Sequence, residues 1–133
     1  MSGPSVLAIG LDPRHADLSA FPEITPELVA SYIDQQIERV RSLGYDVDTC
    51  LVDQGETAEQ LVTEALETRP YDCVVIGAGL REPGELLLLF ECILNLVHHL
   101  APGAHIAFNT SPADTAEAVQ RWIDVPRRTA ANR

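Results

Sequence analysis

The sequence predicts an α/β protein with three layers (α/β/α), in which a four-stranded parallel sheet of order 2-1-3-4 lies between helices. One observation is the run at residues 71–79, where consecutive apolar or β-branched residues end in Gly77 and Gly79. Such a run is typical of a buried parallel strand that leads into a turn where backbone can approach a ligand. The other observation is that short apolar strands and helical patterns alternate along the chain, which indicates parallel strands joined by helices.

The individual elements follow from periodicity and from turn signals. Strands are predicted at residues 6–10 (β1), 46–52 (β2), 72–76 (β3) and 104–108 (β4), and helices at residues 26–43, 58–69, 85–100 and after Ser111-Pro112. Thr25 and Gly44 mark the two ends of the first helix, while Thr57 and Gln60 have the spacing of a capping box. The weak alternation of β2 is typical of an edge strand.

The chain is acidic and contains no lysine. It has 20 acidic residues and 9 basic ones, all arginine, and a formal net charge of −11. Such a surface repels nucleic acid and anionic lipid, because both bind clustered positive charge. The lack of lysine also excludes a Schiff base and a phosphate-loop lysine. We therefore expect neither nucleic acid nor a membrane as a partner.

Length and cysteine usage indicate one domain in a reducing compartment. We assign residues 1–126 to a single α/β domain and expect residues 127–133 to form a flexible tail. The most apolar segment, residues 86–100, is too short to span a bilayer. Cys50, Cys73 and Cys92 are scattered and lack the spacing of metal ligands. We expect a cytoplasmic protein without a metal site.

The strand order predicts where a ligand would bind. In open parallel sheets ligands lie outside the carboxyl ends of the strands, where the order changes direction. Here that place lies between β1 and β3, so the loops at residues 11–25 and 77–84 should meet there. The first loop is long against the usual range of roughly 2–6 residues. It is either a binding loop or a loop held on the edge of the domain by its own apolar residues.

Two arginines fall in these loops and favour an anionic ligand. Arg14 follows β1 and Arg81 follows β3. A guanidinium group suits carboxylate or phosphate geometry, and Gly77 and Gly79 would let backbone amides assist. The alternative is pairing within each loop, between Arg14 and Asp12 or Asp17, and between Arg81 and Glu82 or Glu85.

Polar side chains that could act on a bound molecule follow β1 and β4. Asp12 and Asn109 come just past these strands, and His15 is the only histidine near the predicted site. Asp12 and His15 could form a general base or contribute metal ligands. No acidic cluster, cysteine pair or nucleophile elbow accompanies them, so the sequence leaves open whether the protein is an enzyme.

The strand order and strand-end loops resemble the flavodoxin-like layout, and in particular a short version of response-regulator receiver domains. Asp12 after β1 and Thr110-Ser111 after β4 match that family's acidic and hydroxyl positions. Thr110 thus joins the candidate ligand-binding residues. The resemblance implies the fold but not phosphotransfer, because Gly77 stands where the phospho-accepting aspartate should end β3 and the family's lysine is missing.

The motifs identify no cofactor. Gly77-Ala-Gly79 is followed by Glu82 where a dinucleotide fingerprint needs glycine or alanine, and it comes after β3. Flavin mononucleotide stays an alternative, although a Ser/Thr-rich phosphate loop is missing after β1.

The predicted helix at residues 85–100 has an apolar arc wider than the roughly 100° stripe that one sheet face needs. Its narrow polar side carries Glu91, Asn95, His98 and His99. A neighbouring helix or a second copy of the chain could cover the surplus, and we expect a homodimer through this helix. Our leading expectation is that the protein binds, with turnover left open, a small anionic molecule at the β1/β3 crevice. The alternative is a non-catalytic, receiver-like dimerisation module that lacks the phospho-acceptor.

Overall fold

The computed structural model describes residues 3–125, so the predicted tail at residues 127–133 lies outside the described part. The strands are Ser5–Leu11 (β1), Asp46–Val52 (β2), Cys73–Ile76 (β3) and His105–Phe108 (β4). The α-helices are Pro26–Ser42 (α1), Ala58–Thr68 (α2), Ala78–Arg81 (α3), Leu87–Leu100 (α4) and Thr115–Gln120 (α5), and short 3-10 turns cover Pro13–His15, Gly84–Leu86 and Pro112–Asp114.

The strands form one parallel sheet in the order β2-β1-β3-β4. In the centre, Val6 of β1 lies opposite Val47 on one side and Cys73 on the other. The predicted order is confirmed, and β2 is an edge strand. With helices on both faces, the architecture is a three-layer α/β/α, flavodoxin-like fold.

Two apolar cores lie on the two faces of the sheet. On one face α2 and α4 cover Leu7, Ile9, Val74 and Ile76, each at most 2% exposed. On the other face α1 and α5 cover the remaining strand residues; the buried members are Val6, Val47, Cys73, Val75 and Ala107 from the sheet, with Ile37, Val40, Ala116 and Val119 from the helices. Two helices therefore cover each face of the sheet.

The ends of α1 follow the local signals in the sequence. The Thr25 hydroxyl accepts a hydrogen bond from the Leu28 amide at 3.1 Å, which satisfies one of the unpaired donors of the first turn. At the other end Gly44 has φ +108°, a conformation that favours glycine. Both predicted ends are confirmed.

The predicted capping box of α2 is wrong. Asp53 accepts hydrogen bonds from the Thr57 amide and hydroxyl, at 3.1 and 2.8 Å, and the Gln60 side chain donates to Glu64 instead. The ionised carboxylate of Asp53 accepts from the Thr57 amide in place of the Gln60 side chain, and it also binds the hydroxyl that the pattern assigned to the cap.

The segment after β3 also differs from the prediction. Residues 78–81 form the short helix α3 instead of a loop, and α4 begins at Leu87 instead of residue 85. The break lies at Pro83, which has no amide hydrogen to continue the helix and whose backbone is extended (φ −66°, ψ 123°). The Leu86 amide then donates to the Pro83 carbonyl at 3.0 Å and closes the 3-10 turn that precedes α4.

Candidate functional site

The loops after β1 and β3 leave the sheet side by side. The Gly77 amide donates to the Ile9 carbonyl at 2.9 Å, and Ala8 lies opposite Val75 in the parallel register. A Cβ at Gly77 would lie 3.4 Å from the Ile9 carbonyl oxygen, within van der Waals contact, which shows how close the two segments are. The prediction that these two segments are neighbours at the same edge of the sheet is confirmed.

A cavity of about 230 Å³ lies at this edge, between the sheet and α1. We call it the strand-end cavity. Its walls come from the ends of β1 and β3, from the loops that follow them, from the inner face of α1 and from the start of the Pro112–Asp114 turn. The residues that define it include Ala8, Gly10, Pro13, Ala16, Val29, Ile33, Gln36, Thr49, Val75, Gly77, Asn109 and Thr115.

The cavity exists because side chains become smaller along one face of the sheet. On the α1 side of β1 the alternate residues are Val6, Ala8 and Gly10, and on β3 Val75 is followed by Gly77. Near the amino ends of the strands this face is filled by residues that pack against α1. Towards the carboxyl ends the sheet contributes little volume, so a space remains beneath the first half of α1.

The opposite face of the same strands shows no such decrease. Leu7 and Ile9 of β1, with Val74 and Ile76 of β3, are fully buried against α2 and α4. The difference between the faces follows from the alternation of side chains along each strand. The sequence signal was present in the alternate residues of β1, but its meaning depended on which face α1 covers.

Two polar groups in the lining were missed by the sequence-based predictions. Gln36 stands on the inner face of α1 between Ile33 and Ile37, and Thr49 lies on β2 opposite Ala8. Within residues 3–125 neither the Gln36 amide nor the Thr49 hydroxyl makes a hydrogen bond to the protein. A polar residue among the apolar positions of α1 was the only signal for this part of the site.

Arg14 pairs with Asp12, as the alternative interpretation had it. Its Nε and one Nη donate to the two carboxylate oxygens of Asp12, at 3.2 and 2.7 Å, while the side chain is 76% exposed. The hydrogen bonds from the Arg14 side chain and amide lower the pKa of the Asp12 carboxyl from 3.8 to about 2. The second Nη of Arg14 has no partner among the described residues.

Arg81 does not pair with either nearby glutamate. Its Nε donates to the Ile76 carbonyl at 2.9 Å, another nitrogen donates to the Asn109 carbonyl, and the guanidinium lies 4.6 Å from the ring centroid of Phe108. Arg81 thus bridges the carboxyl ends of β3 and β4. Among residues 3–125 no carboxylate forms a salt bridge with it.

Asn109 joins the segments after β3 and β4. Its side-chain oxygen accepts from the Ala78 amide at 2.9 Å, and its nitrogen donates to the Thr115 hydroxyl at 3.0 Å. Asn109 is 7% exposed and lines the cavity, so it positions the walls of the site.

His15 and Thr110 lie at the edge of the site. His15 is exposed, and no hydrogen bond within the described chain joins its imidazole to Asp12. The Thr110 amide and hydroxyl donate to Asp114 at 2.9 and 2.8 Å. The proposed Asp12–His15 pair is therefore not formed in this arrangement, because Asp12 binds Arg14.

Residues 3–125 lack two other kinds of feature, a metal-binding cluster and a membrane-spanning helix. This part of the chain has no group of three or more His, Cys, Asp or Glu side chains placed to hold a metal ion. It also has no helix with the length and hydropathy needed to cross a bilayer. In comparisons with known proteins, no protein-family model matches the sequence, and no curated protein is significantly similar to it.

Proposed function

We propose that the protein binds a small anionic molecule at the carboxyl ends of β1 and β3. The observation that carries this proposal is the strand-end cavity, which opens where open α/β sheets bind their ligands. The walls come from segments far apart in the sequence, so the cavity depends on the tertiary fold. A formed cavity favours a binding protein over a module that acts through its surface alone.

Arg14 supports the anionic character of the ligand. It lies between Pro13 and Ala16, which both line the cavity, and its guanidinium faces solvent at the edge. Asp12 uses two of its nitrogens, and the remaining Nη can donate to a carboxylate or phosphate without breaking that pair. Arg81 adds positive charge nearby, since its partners are neutral carbonyls and an aromatic ring.

The arrangement supports binding better than turnover. A general base works best when its pKa lies near the operating pH, whereas Arg14 holds the pKa of Asp12 at about 2. Catalysis by Asp12 would require a ligand that draws Arg14 away from it. If a reaction is found, we expect its rate to fall in His15→Gln.

Thermal-shift and calorimetric screening with small carboxylates and phosphates tests the proposal. We expect Arg14→Ala to weaken binding of the best anion several-fold, because it removes the exposed guanidinium. Arg41→Ala is the matched control, since Arg41 is an exposed arginine that pairs with Glu38 near the carboxyl end of α1. Equal affinities for the wild type and Arg14→Ala would contradict the proposal.

A second candidate function is self-association through α4, which a specific observation favours. Leu87 and Leu88 begin α4 and are 59% and 74% exposed, and Phe108 on the neighbouring edge strand is 38% exposed. Phe90 connects them, because its ring packs edge-on against Phe108 with the centroids 5.7 Å apart. Such an apolar surface is suited to the same surface of a second copy.

Light scattering at micromolar concentration tests this second candidate. We expect a dimer for the wild type and a monomer for Leu87→Glu, since two buried carboxylates would face each other across the interface. Leu28→Glu is the matched control, because Leu28 is 58% exposed on α1 in the other layer. A monomeric wild type would end the candidate.

A further inference from the structure

We infer that the ligand carries a compact apolar group, which fills the strand-end cavity while its anionic group stays at the edge near Arg14. The inference rests on the proposed function and specifies the ligand as an amphipathic small acid, such as a short-chain or aromatic carboxylate. Arg14 would bind only the charged end of such a molecule. The cavity would hold its apolar end.

The residues that line the cavity indicate which chemical group it can hold. Among the described residues that line the cavity, none is charged. Most are aliphatic or glycine, with Val29 and Ile33 of α1 facing Ala8 and Gly10 of the sheet. An ionised group placed inside would lose its hydration and meet no opposite charge, since the free polar groups of the lining, on Gln36 and Thr49, are neutral. An apolar group placed there would instead leave water and gain packing contacts.

The volume of the cavity limits the size of the apolar group that can enter it. An apolar protein cavity of roughly 150 Å³ accommodates benzene, and pockets for drug-sized ligands begin at about 300 Å³. The strand-end cavity, at about 230 Å³, lies between these values. It therefore suits a branched or unbranched chain of a few carbons or a single aromatic ring, and not a nucleotide or a fused cofactor ring system.

The energetics also require the apolar group. Arg14 is 76% exposed and already paired with Asp12, and exposed ion pairs contribute little to affinity. An anion held at the edge alone would thus bind weakly. Each methylene that enters the cavity should tighten binding about fourfold, which corresponds to roughly 0.8 kcal/mol per buried methylene.

The test uses the full-length protein and a series of straight-chain carboxylates from acetate to hexanoate, with 1-hexanol as the uncharged analogue of hexanoate. Dissociation constants are measured by calorimetry or by NMR titration. We expect successive tightening along the series, and weaker binding of hexanol than of hexanoate. Ala8→Leu, which places a larger side chain in the cavity, should remove the chain-length dependence. Ala20→Leu makes the same change at an exposed position outside the lining and should leave the dependence unchanged.

The outcomes separate this inference from the proposed function. Equal affinity for acetate and hexanoate, with both affinities reduced by Arg14→Ala, would contradict the inference of an apolar group. The proposed anion site would remain supported. Equal affinity for hexanol and hexanoate, with binding that becomes tighter along the carboxylate series, would support the apolar group. It would contradict the proposal that the ligand needs an anionic group near Arg14. The wild-type series decides the matter even if Ala8→Leu does not fold. No binding by any member of the series would overturn both.

Discussion

Replacing Asn109 by alanine should destabilise the protein strongly, because this side chain connects three segments. It bonds the Ala78 amide at the start of α3 and the Thr115 hydroxyl at the start of α5, and it follows the last residue of β4. Asn109 and Thr115 are 7% and 5% exposed, so water has little access to the groups left behind.

The expected loss follows from the two hydrogen bonds. Each contributes about 0.5–1.5 kcal/mol net, and a buried group left without a partner costs about 1–3 kcal/mol. The Thr115 hydroxyl keeps its own bond to the Pro112 carbonyl at 2.8 Å, so the full penalty falls on the Ala78 amide. We therefore expect Asn109→Ala to lower the free energy of unfolding by about 2–4 kcal/mol.

Urea unfolding followed by circular dichroism measures this loss, and the melting temperature should fall by about 3–4 °C per kcal/mol for a chain of this size. Asn95→Ala is the matched control, because the Asn95 side chain donates to the Glu91 carbonyl on the exposed side of α4. We expect that change to stay within about 0.5 kcal/mol. A loss below about 1 kcal/mol for Asn109→Ala, or one equal to the control, would refute the reasoning.

Three further predictions concern stability and reactivity. Gly44→Ala should cost about 1–2 kcal/mol, because Gly44 has φ +108°, whereas Gly84→Ala should be nearly neutral because the new methyl group meets open space. Burial raises the pKa of the Cys73 thiol to about 12, with a smaller effect from the neighbouring Asp72. A thiol reagent at pH 8 should therefore modify the partly exposed Cys92 and leave Cys73 unmodified until the protein unfolds. The pKa of Asp12 is about 2 in the folded protein against about 3.9 in unfolded chains, so its contribution to stability is complete above about pH 4 and is lost as the pH falls towards 2.

Each of these predictions has a direct measurement. Unfolding free energies of the two glycine variants should differ clearly, and equal values would contradict the conformational argument. Mass spectrometry after labelling reports which cysteine reacts, and modification of Cys73 in the native protein would count against its burial. The stability difference between the wild type and Asp12→Asn should narrow as the pH is lowered from 5 to 2. A difference that is independent of pH would show that Asp12 has no lowered pKa.

The sheet and the location of the site could be predicted from the sequence because both depend on patterns that run over many residues. The order of the strands and the face of each helix follow from the alternation of elements, and they determine which loops meet. The partners of the two arginines were less predictable: Asp12 was one of two carboxylates considered for Arg14, and the carbonyl partners of Arg81 were not foreseen. Several carboxylates and carbonyls lie within reach of each guanidinium, and backbone geometry of about one ångström decides among them.

The position of the site was predicted, but the apolar space beneath α1 that forms the strand-end cavity was missed, for a different reason. It arises from the combined size of residues on β1, β3 and α1, and no single segment shows it. Val6, Ala8 and Gly10 decrease in volume, but Leu7, Ile9 and Leu11 between and after them are large and apolar, so the strand as a whole has the composition of a filled core. Only the register between the strands brings Gly10 and Gly77 to the same side.

The unequal faces of the sheet have a consequence for how this protein can vary. The layer containing α2 and α4 holds well-packed aliphatic residues such as Leu7 and Ile76, and substitutions there threaten folding. The positions around Ala8 and Gln36 border the strand-end cavity, so we expect many bulkier or more polar replacements there to cost less stability than the same changes in the α2 and α4 layer. Mutational libraries restricted to those positions should yield folded proteins with altered selectivity, since the two packed cores preserve the scaffold while the cavity lining varies.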